Sequence, residues 1–105
     1  MKTVKILSEV TFSEAAKRFF NFPMMNDTRM PFWIHGDGKS TFSEVLYDGV
    51  PIEIGKPIIV QIAYFEQAFL VGKLGIGSLF SLGTFPVELA TGKIIDWNLA
   101  PADVD

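Results

Sequence analysis

His35 is the only histidine in the chain, and it is therefore the side chain best suited to exchange a proton near neutral pH. A catalytic histidine needs an orienting carboxylate and a nucleophile within hydrogen-bonding reach. Asp37, Ser40 and Thr41 follow closely, but all of them lie in or beside one predicted turn at residues 36–38. Aspartate and serine in turns usually bond to the local backbone. The pattern therefore favours a turn histidine over a catalytic one.

Metal and thiol chemistry find little support in the composition. The chain has no cysteine, which excludes disulfides, thiolate nucleophiles and cysteine-based metal sites. A metal at His35 would need further ligands, and the sequence offers only scattered carboxylates. The 12 acidic residues form no close pair apart from Asp103 and Asp105. We therefore predict no catalytic residue, no metal site, no cofactor and no enzymatic activity.

The glycine-rich segment at residues 72–77 invites comparison with a phosphate-binding loop. It lacks the G-x-G-x-x-G spacing, and no helix is predicted after it to supply amide groups. The nucleotide-binding pattern G-x-x-x-x-G-K-[ST] does not occur in the chain. We interpret the segment as a turn between strands.

The most unusual feature is an apolar stretch at residues 19–30 without the alternation of a strand. Such a stretch either plugs one end of a barrel or forms an exposed patch that docks a partner. Methionine, tryptophan and arginine are frequent at binding interfaces. If the protein is an interaction module, we expect its binding surface to include Arg29, Trp33, His35, Phe22, Met24 and Met25.

Alternating apolar and polar residues predict an all-β domain. The first strand is clearest, because Val4, Ile6, Val10 and Phe12 share one face with Ser8. Residues 13–18 allow one short helical turn. Glycine and proline turns separate six short strands, which is typical of a sandwich or a barrel. The predicted strands are residues 3–12, 29–34, 40–47, 58–65, 79–82 and 87–97.

Length and composition predict a single domain. At 105 residues with 49% apolar side chains, the chain has material for one core, which we place at residues 3–97. Residues 98–105 are expected to form a flexible tail. No apolar run has the length of a signal peptide or of a membrane span, so we predict a cytoplasmic protein without membrane contact.

The order of these signals resembles the third domain of translation elongation factor Tu, its C-terminal β-barrel. The opening strand at residues 4–12, a loop, an Arg-Pro-aromatic segment and a closing Gly-x-Ile carry the resemblance over about residues 3–97. The matching segments are Arg29-Met30-Pro31-Phe32, Ile54-Gly55-Lys56-Pro57, Gly77-Ser78-Leu79-Phe80-Ser81-Leu82 and Thr91-Gly92-Lys93-Ile94-Ile95. The resemblance implies a small closed six-stranded barrel of Greek-key type.

That family's barrel contacts transfer RNA and partner proteins, so the resemblance implies a binding role. Two polar family segments are replaced here, by Ala15-Ala16-Lys17-Arg18 and by Gly83-Thr84-Phe85. The net charge is −3, without a cluster of basic residues for phosphates. We therefore expect a non-catalytic protein-interaction module, such as an inhibitor or immunity protein, with nucleic acid an unfavoured partner and a homodimer left open. The alternatives are a translation-associated RNA-binding or elongation-factor-like domain and a small-ligand-binding barrel enzyme.

Overall fold

The computed structural model describes residues 2–25, 27–47 and 49–101. It contains six strands and two short 3-10 helices, at Glu14–Arg18 and Ala68–Leu70. The first 3-10 helix is the helical turn predicted near residues 13–18. The strands are β1 (Lys2–Phe12), β2 (Thr28–Ile34), β3 (Thr41–Leu46), β4 (Ile58–Phe65), β5 (Leu79–Thr84) and β6 (Val87–Pro101).

The strands form a closed antiparallel barrel in the order β1-β4-β3-β2-β5-β6. Three consecutive strands, β2 to β4, form a meander, and β4 then pairs with β1. The β5–β6 hairpin closes the barrel against β2 and β1. This is the Greek-key arrangement, in which a distant strand returns to lie beside the first. The predicted all-β, six-stranded closed barrel is thereby confirmed.

β1 follows the predicted alternation over its whole length. Val4, Ile6, Ser8, Val10 and Phe12 are buried, and the residues between them face outward. Ser8 is tolerated inside because its hydroxyl donates a hydrogen bond to the Val60 carbonyl at 3.4 Å. Since one face of every strand in a small barrel must fill the interior, period two is the expected pattern.

β6 departs from simple alternation at two bulges. Its register shifts opposite Leu82/Gly83, so that both Leu89 and Ala90 are buried, and it shifts again opposite Leu7/Ser8. A bulge places two residues against one on the partner strand and reverses the faces beyond it. The strand also continues to Pro101, which pairs with Lys2. The predicted tail therefore begins too early at residue 98, and residues 102–105 lie outside the described residues.

Gly92 is a site of close approach, which is one reason for a glycine inside a strand, and neither bulge falls on it. It lies opposite Phe80, and a Cβ atom added at Gly92 would collide with the Phe80 ring. The ring of Phe80 in turn contacts Phe32, whose ring stacks on Tyr64, each pair with centroids 5.0 Å apart. These rings fill the barrel interior beside the space that Gly92 leaves.

Candidate functional site

The structure separates the six residues that were predicted to form a binding surface. Arg29 and His35 lie six residues apart along and just beyond β2, near its two ends. A strand rises about 3.3 Å per residue, so these two residues are roughly 20 Å apart. They cannot both contact one small epitope at its centre.

The loop before β2 is partly a plug and partly exposed. Met24 pairs with Ile52 through two backbone hydrogen bonds of 2.9 Å, and its side chain is buried. Phe22 is half-buried against Phe12, with ring centroids 5.8 Å apart. Met25, by contrast, is 55% exposed. Of the predicted loop residues, Met24 is therefore removed from the surface, and Met25 remains available.

Trp33 is also removed from the surface, for a reason that alternation along β2 does not reveal. Its neighbour Phe32 points into the barrel, so Trp33 points outward. Phe85, in the β5–β6 turn, packs edge-on against the indole at 5.0 Å and 83°. Only 7% of Trp33 stays accessible. Trp33 therefore packs against the outside of the barrel wall and is covered by Phe85.

His35, Glu88 and Ser81 form a polar cluster near that contact. The Ser81 hydroxyl donates to Glu88 Oε2 at 2.5 Å, and His35 Nε2 lies 3.2 Å from the same oxygen. A hydrolase triad places the imidazole between the hydroxyl and the carboxylate. Here the carboxylate is in the middle, and Ser81 is fully buried. These contacts link β5 and β6 to the end of β2.

Arg29 faces a different and more exposed environment. Its Nε lies 3.5 Å from Glu44 Oε2, across the β2–β3 pair, and 68% of its side chain is accessible. β3 and β4 are hydrogen-bonded only from Glu44↔Ala63 to Leu46↔Gln61, and they separate beyond that point. Phe42 and Phe65 lie on the outward faces of these separating strands, 63% and 56% exposed.

These residues line a groove of about 430 Å³ on the outer wall, which we call the β3–β4 groove. Its walls combine two phenylalanine rings with the Arg29–Glu44 ion pair. Its principal lining residues are Thr3, Arg29, Phe42, Glu44, Ala63 and Phe65. Arg29 was among the residues predicted for the binding surface, whereas Phe42 and Phe65 were not. Phe42 and Phe65 are 23 positions apart, and the antiparallel pairing of β3 with β4 brings them to one groove.

Titratable groups with perturbed pKa values are few in the described part of the chain. Burial, assisted by the charge of Asp27, raises the pKa of Tyr47. Burial, assisted by Glu66, raises the pKa of Tyr64. Among the described residues, no three histidine or acidic side chains cluster as metal ligands would. The glycine-rich segment forms turns around the 3-10 helix at Ala68–Leu70, as predicted.

Basic side chains are dispersed, and several of them form ion pairs. At least four of the nine lysines and arginines form ion pairs, through Glu14, Glu44, Glu53 and Asp37. None of the helical segments in the described ranges has the length and apolar character that crossing a bilayer requires. No protein-family model and no curated protein matches this chain.

Proposed function

We propose that this barrel is a protein-binding module and that its partner docks on the β3–β4 groove. The observation that carries the proposal is the pair of exposed rings, Phe42 and Phe65, beside an arginine–carboxylate pair. Phenylalanine has no polar group, so keeping two rings mostly in water costs free energy that a bound partner would recover. Contiguous apolar surface with a polar rim is typical of interaction sites.

The Arg29–Glu44 pair supports the same interpretation. Both side chains are largely exposed, so the pair contributes little to folding. Arg29 can therefore exchange Glu44 for a carboxylate or carbonyl of a partner at small cost. Arginine beside aromatic rings is a frequent hot-spot combination because it adds directional hydrogen bonds to apolar burial.

The competing classes have weaker support. RNA binding needs a basic face, whereas the lysines and arginines here are scattered and many are paired with acids. A barrel enzyme needs a cleft in which titratable groups converge. Among the described residues, the pKa values of Tyr47 and Tyr64 are shifted. Tyr47 follows β3 and Tyr64 belongs to β4, so neither is part of the His35 cluster.

The proposal extends to the kind of module and to its location in the cell. An inhibitor or immunity protein is the kind of module that a small acidic barrel suits, and a cytoplasmic location agrees with the absence of cysteine. The resemblance to the third domain of elongation factor Tu is compatible with a six-stranded closed barrel.

The test compares two double variants in a crosslinking pull-down from the native cells. F42S/F65S removes both rings of the groove, and V50S/I76S removes two exposed apolar side chains in other loops, 57% and 76% accessible. We expect partners captured by the wild type to be retained by the control and lost with F42S/F65S. Equal retention by both variants, with unchanged denaturation midpoints, would reject the groove as the docking site.

A further inference from the structure

A second cavity lies inside the end of the barrel where β1 begins and β6 ends, and Tyr64 is the one residue that also lines the β3–β4 groove. Its volume is about 90 Å³. Val4 pairs with Tyr64 on one side and with Leu99 on the other, so the three residues surround the opening. The 3-10 helix at Ala68–Leu70 brings Leu70 across it, and Leu74 and Trp97 complete the wall.

The wall is mostly apolar, with Glu66 and Gln67 also among the lining residues, and its buried polar group is the Tyr64 hydroxyl. The ring of Tyr64 stacks on Phe32, and only 4% of the residue is accessible. Among the described residues, its hydroxyl has no hydrogen-bond partner. An unpaired buried hydroxyl is destabilising, and buried polar groups almost always have a partner. Gln67, at the cavity edge, donates to the Phe65 carbonyl at 3.3 Å.

The protonation state of Tyr64 makes it a donor. Burial and the neighbouring charge of Glu66 both raise the pKa of the phenol above its ordinary value, so it keeps its proton at neutral pH. The cavity is also accessible, because Trp97 and Leu99 at its rim are 36% and 41% exposed. A molecule can therefore enter past Trp97 and reach a neutral hydrogen-bond donor in an apolar enclosure.

We propose that this cavity binds a small ring compound, aromatic or alicyclic, that carries one hydrogen-bond acceptor for the Tyr64 hydroxyl. An apolar cavity of about 150 Å³ encloses benzene completely. A cavity of about 90 Å³ would enclose most of one ring and leave the remainder against Trp97. The proposal does not depend on the protein-binding role of the β3–β4 groove.

The test uses phenol and toluene, which have the same ring and nearly the same size, followed by NMR of the side-chain methyl groups. Phenol should shift the methyl signals of Val4, Leu70 and Leu74 saturably, with intermolecular NOEs to them. In Tyr64→Phe, phenol affinity should fall about fivefold, the size of one neutral hydrogen bond. Toluene affinity should change less than about twofold, since toluene makes no such bond.

Tyr47→Phe is the matched control, because it deletes the hydroxyl of another buried tyrosine, one that does not line this cavity. It should leave phenol binding unchanged. The proposal would be overturned if phenol caused no saturable shifts, or if its NOEs were to Phe42 or Phe65. It would also be overturned if Tyr64→Phe lowered the affinities for phenol and toluene equally. If Tyr64→Phe is destabilised at neutral pH, the hydroxyl already has a partner such as an ordered water, and the proposal fails.

Discussion

Gly92 has no side chain, and the space that this leaves in the barrel interior is filled by an aromatic ring. The ring of Phe80, which lies opposite in the β5–β6 pair, occupies the space that a Cβ atom would need. Phe80 is fully buried and contacts Phe32, so it cannot move aside without disturbing a second ring. A side chain at Gly92 would therefore force a rearrangement of the core.

We expect Gly92→Val to lower the free energy of unfolding by about 1–3 kcal/mol, the usual cost of overpacking. Urea denaturation monitored by tryptophan fluorescence measures the difference. Thr91→Val is the control, because it introduces the same side chain one position away on the exposed face, and its effect should stay within about 0.5 kcal/mol. Similar midpoints for the two variants would contradict the close approach.

Tyr64 gives a prediction for alkaline pH. Its pKa is raised in the folded state above the ordinary value of 10.0, so the folded protein binds this proton more tightly than the unfolded chain does. The resulting stabilisation is complete below pH 10.0 and is lost as the pH rises toward the folded-state pKa. Tyr64→Phe lacks the ionisable group and escapes this loss.

The stability of the wild type should therefore fall, relative to Tyr64→Phe, by up to about 1.4 kcal/mol per pH unit above pH 10. Denaturant titrations of both proteins between pH 8 and pH 11.5 measure this difference. Tyr47 contributes to both proteins equally, so its own raised pKa cancels in the comparison. Parallel curves for the two proteins would mean that Tyr64 ionises as easily folded as unfolded.

At the scale of the element, β2 carries two residues of the predicted surface with opposite roles. Trp33 is buried under Phe85, whereas Arg29 projects into water. We expect Trp33→Ala to lower the free energy of unfolding by about 3 kcal/mol, as for other buried aromatic residues, and Arg29→Ala to change it by less than about 0.5 kcal/mol. Urea denaturation with a far-ultraviolet circular dichroism signal compares the variants.

Because Arg29→Ala should leave stability almost unchanged, it can be used to test binding alone. If the partner docks on the β3–β4 groove, Arg29→Ala should weaken binding by about 2 kcal/mol, the hot-spot threshold. Calorimetric titration with the captured partner measures this loss, and Lys56→Ala serves as a control because it breaks another exposed ion pair, away from the groove. Unchanged affinity in Arg29→Ala would exclude the arginine from the interface.

The strands could be predicted from sequence because each has one face in the barrel interior, which enforces alternation. β1 and β4 were recognised almost to the residue for this reason. Alternation could not reveal the bulges of β6, since an extra residue such as Leu89 changes the face without a compositional signal. It also could not reveal that Phe85 covers Trp33, because that contact depends on how the hairpin bends.

The candidate site depended even more on contacts that are distant in sequence. Neither Phe42 nor Phe65 carries a sequence signal of exposure, and residues 58–65 are apolar on both faces. Their common groove requires the β3–β4 register and the end of regular pairing at Glu44↔Ala63, neither of which follows from the residue types of the two strands. Arg29 was found because its residue type is frequent in interfaces, which is independent of register.

At the scale of the whole molecule, the charge distribution decides between protein and nucleic acid as the partner. The net charge is −3, and the carboxylates are placed among the basic residues. On the outer face of β1 and β6, for example, Lys93 lies opposite Glu9, and Lys5 is two positions from the Leu7↔Asp96 pair. Phosphate binding gains its free energy from counterions released by clustered cations, and each nearby carboxylate reduces that gain.

We therefore expect this protein to bind transfer RNA more weakly than about 10 µM at physiological salt, the weak end of non-specific affinity, despite the resemblance to a barrel that contacts transfer RNA. Electrophoretic mobility shifts at several salt concentrations measure the affinity and its salt dependence.

A triple variant tests the cause, with Glu9 and Glu44 changed to glutamine and Asp96 changed to asparagine. It raises the net charge to zero by removing carboxylates beside Lys5, Lys93 and Arg29. That variant should bind RNA better than the wild type, with a steeper salt dependence. Tight, salt-sensitive binding by the wild type itself would return the translation-associated class to first place.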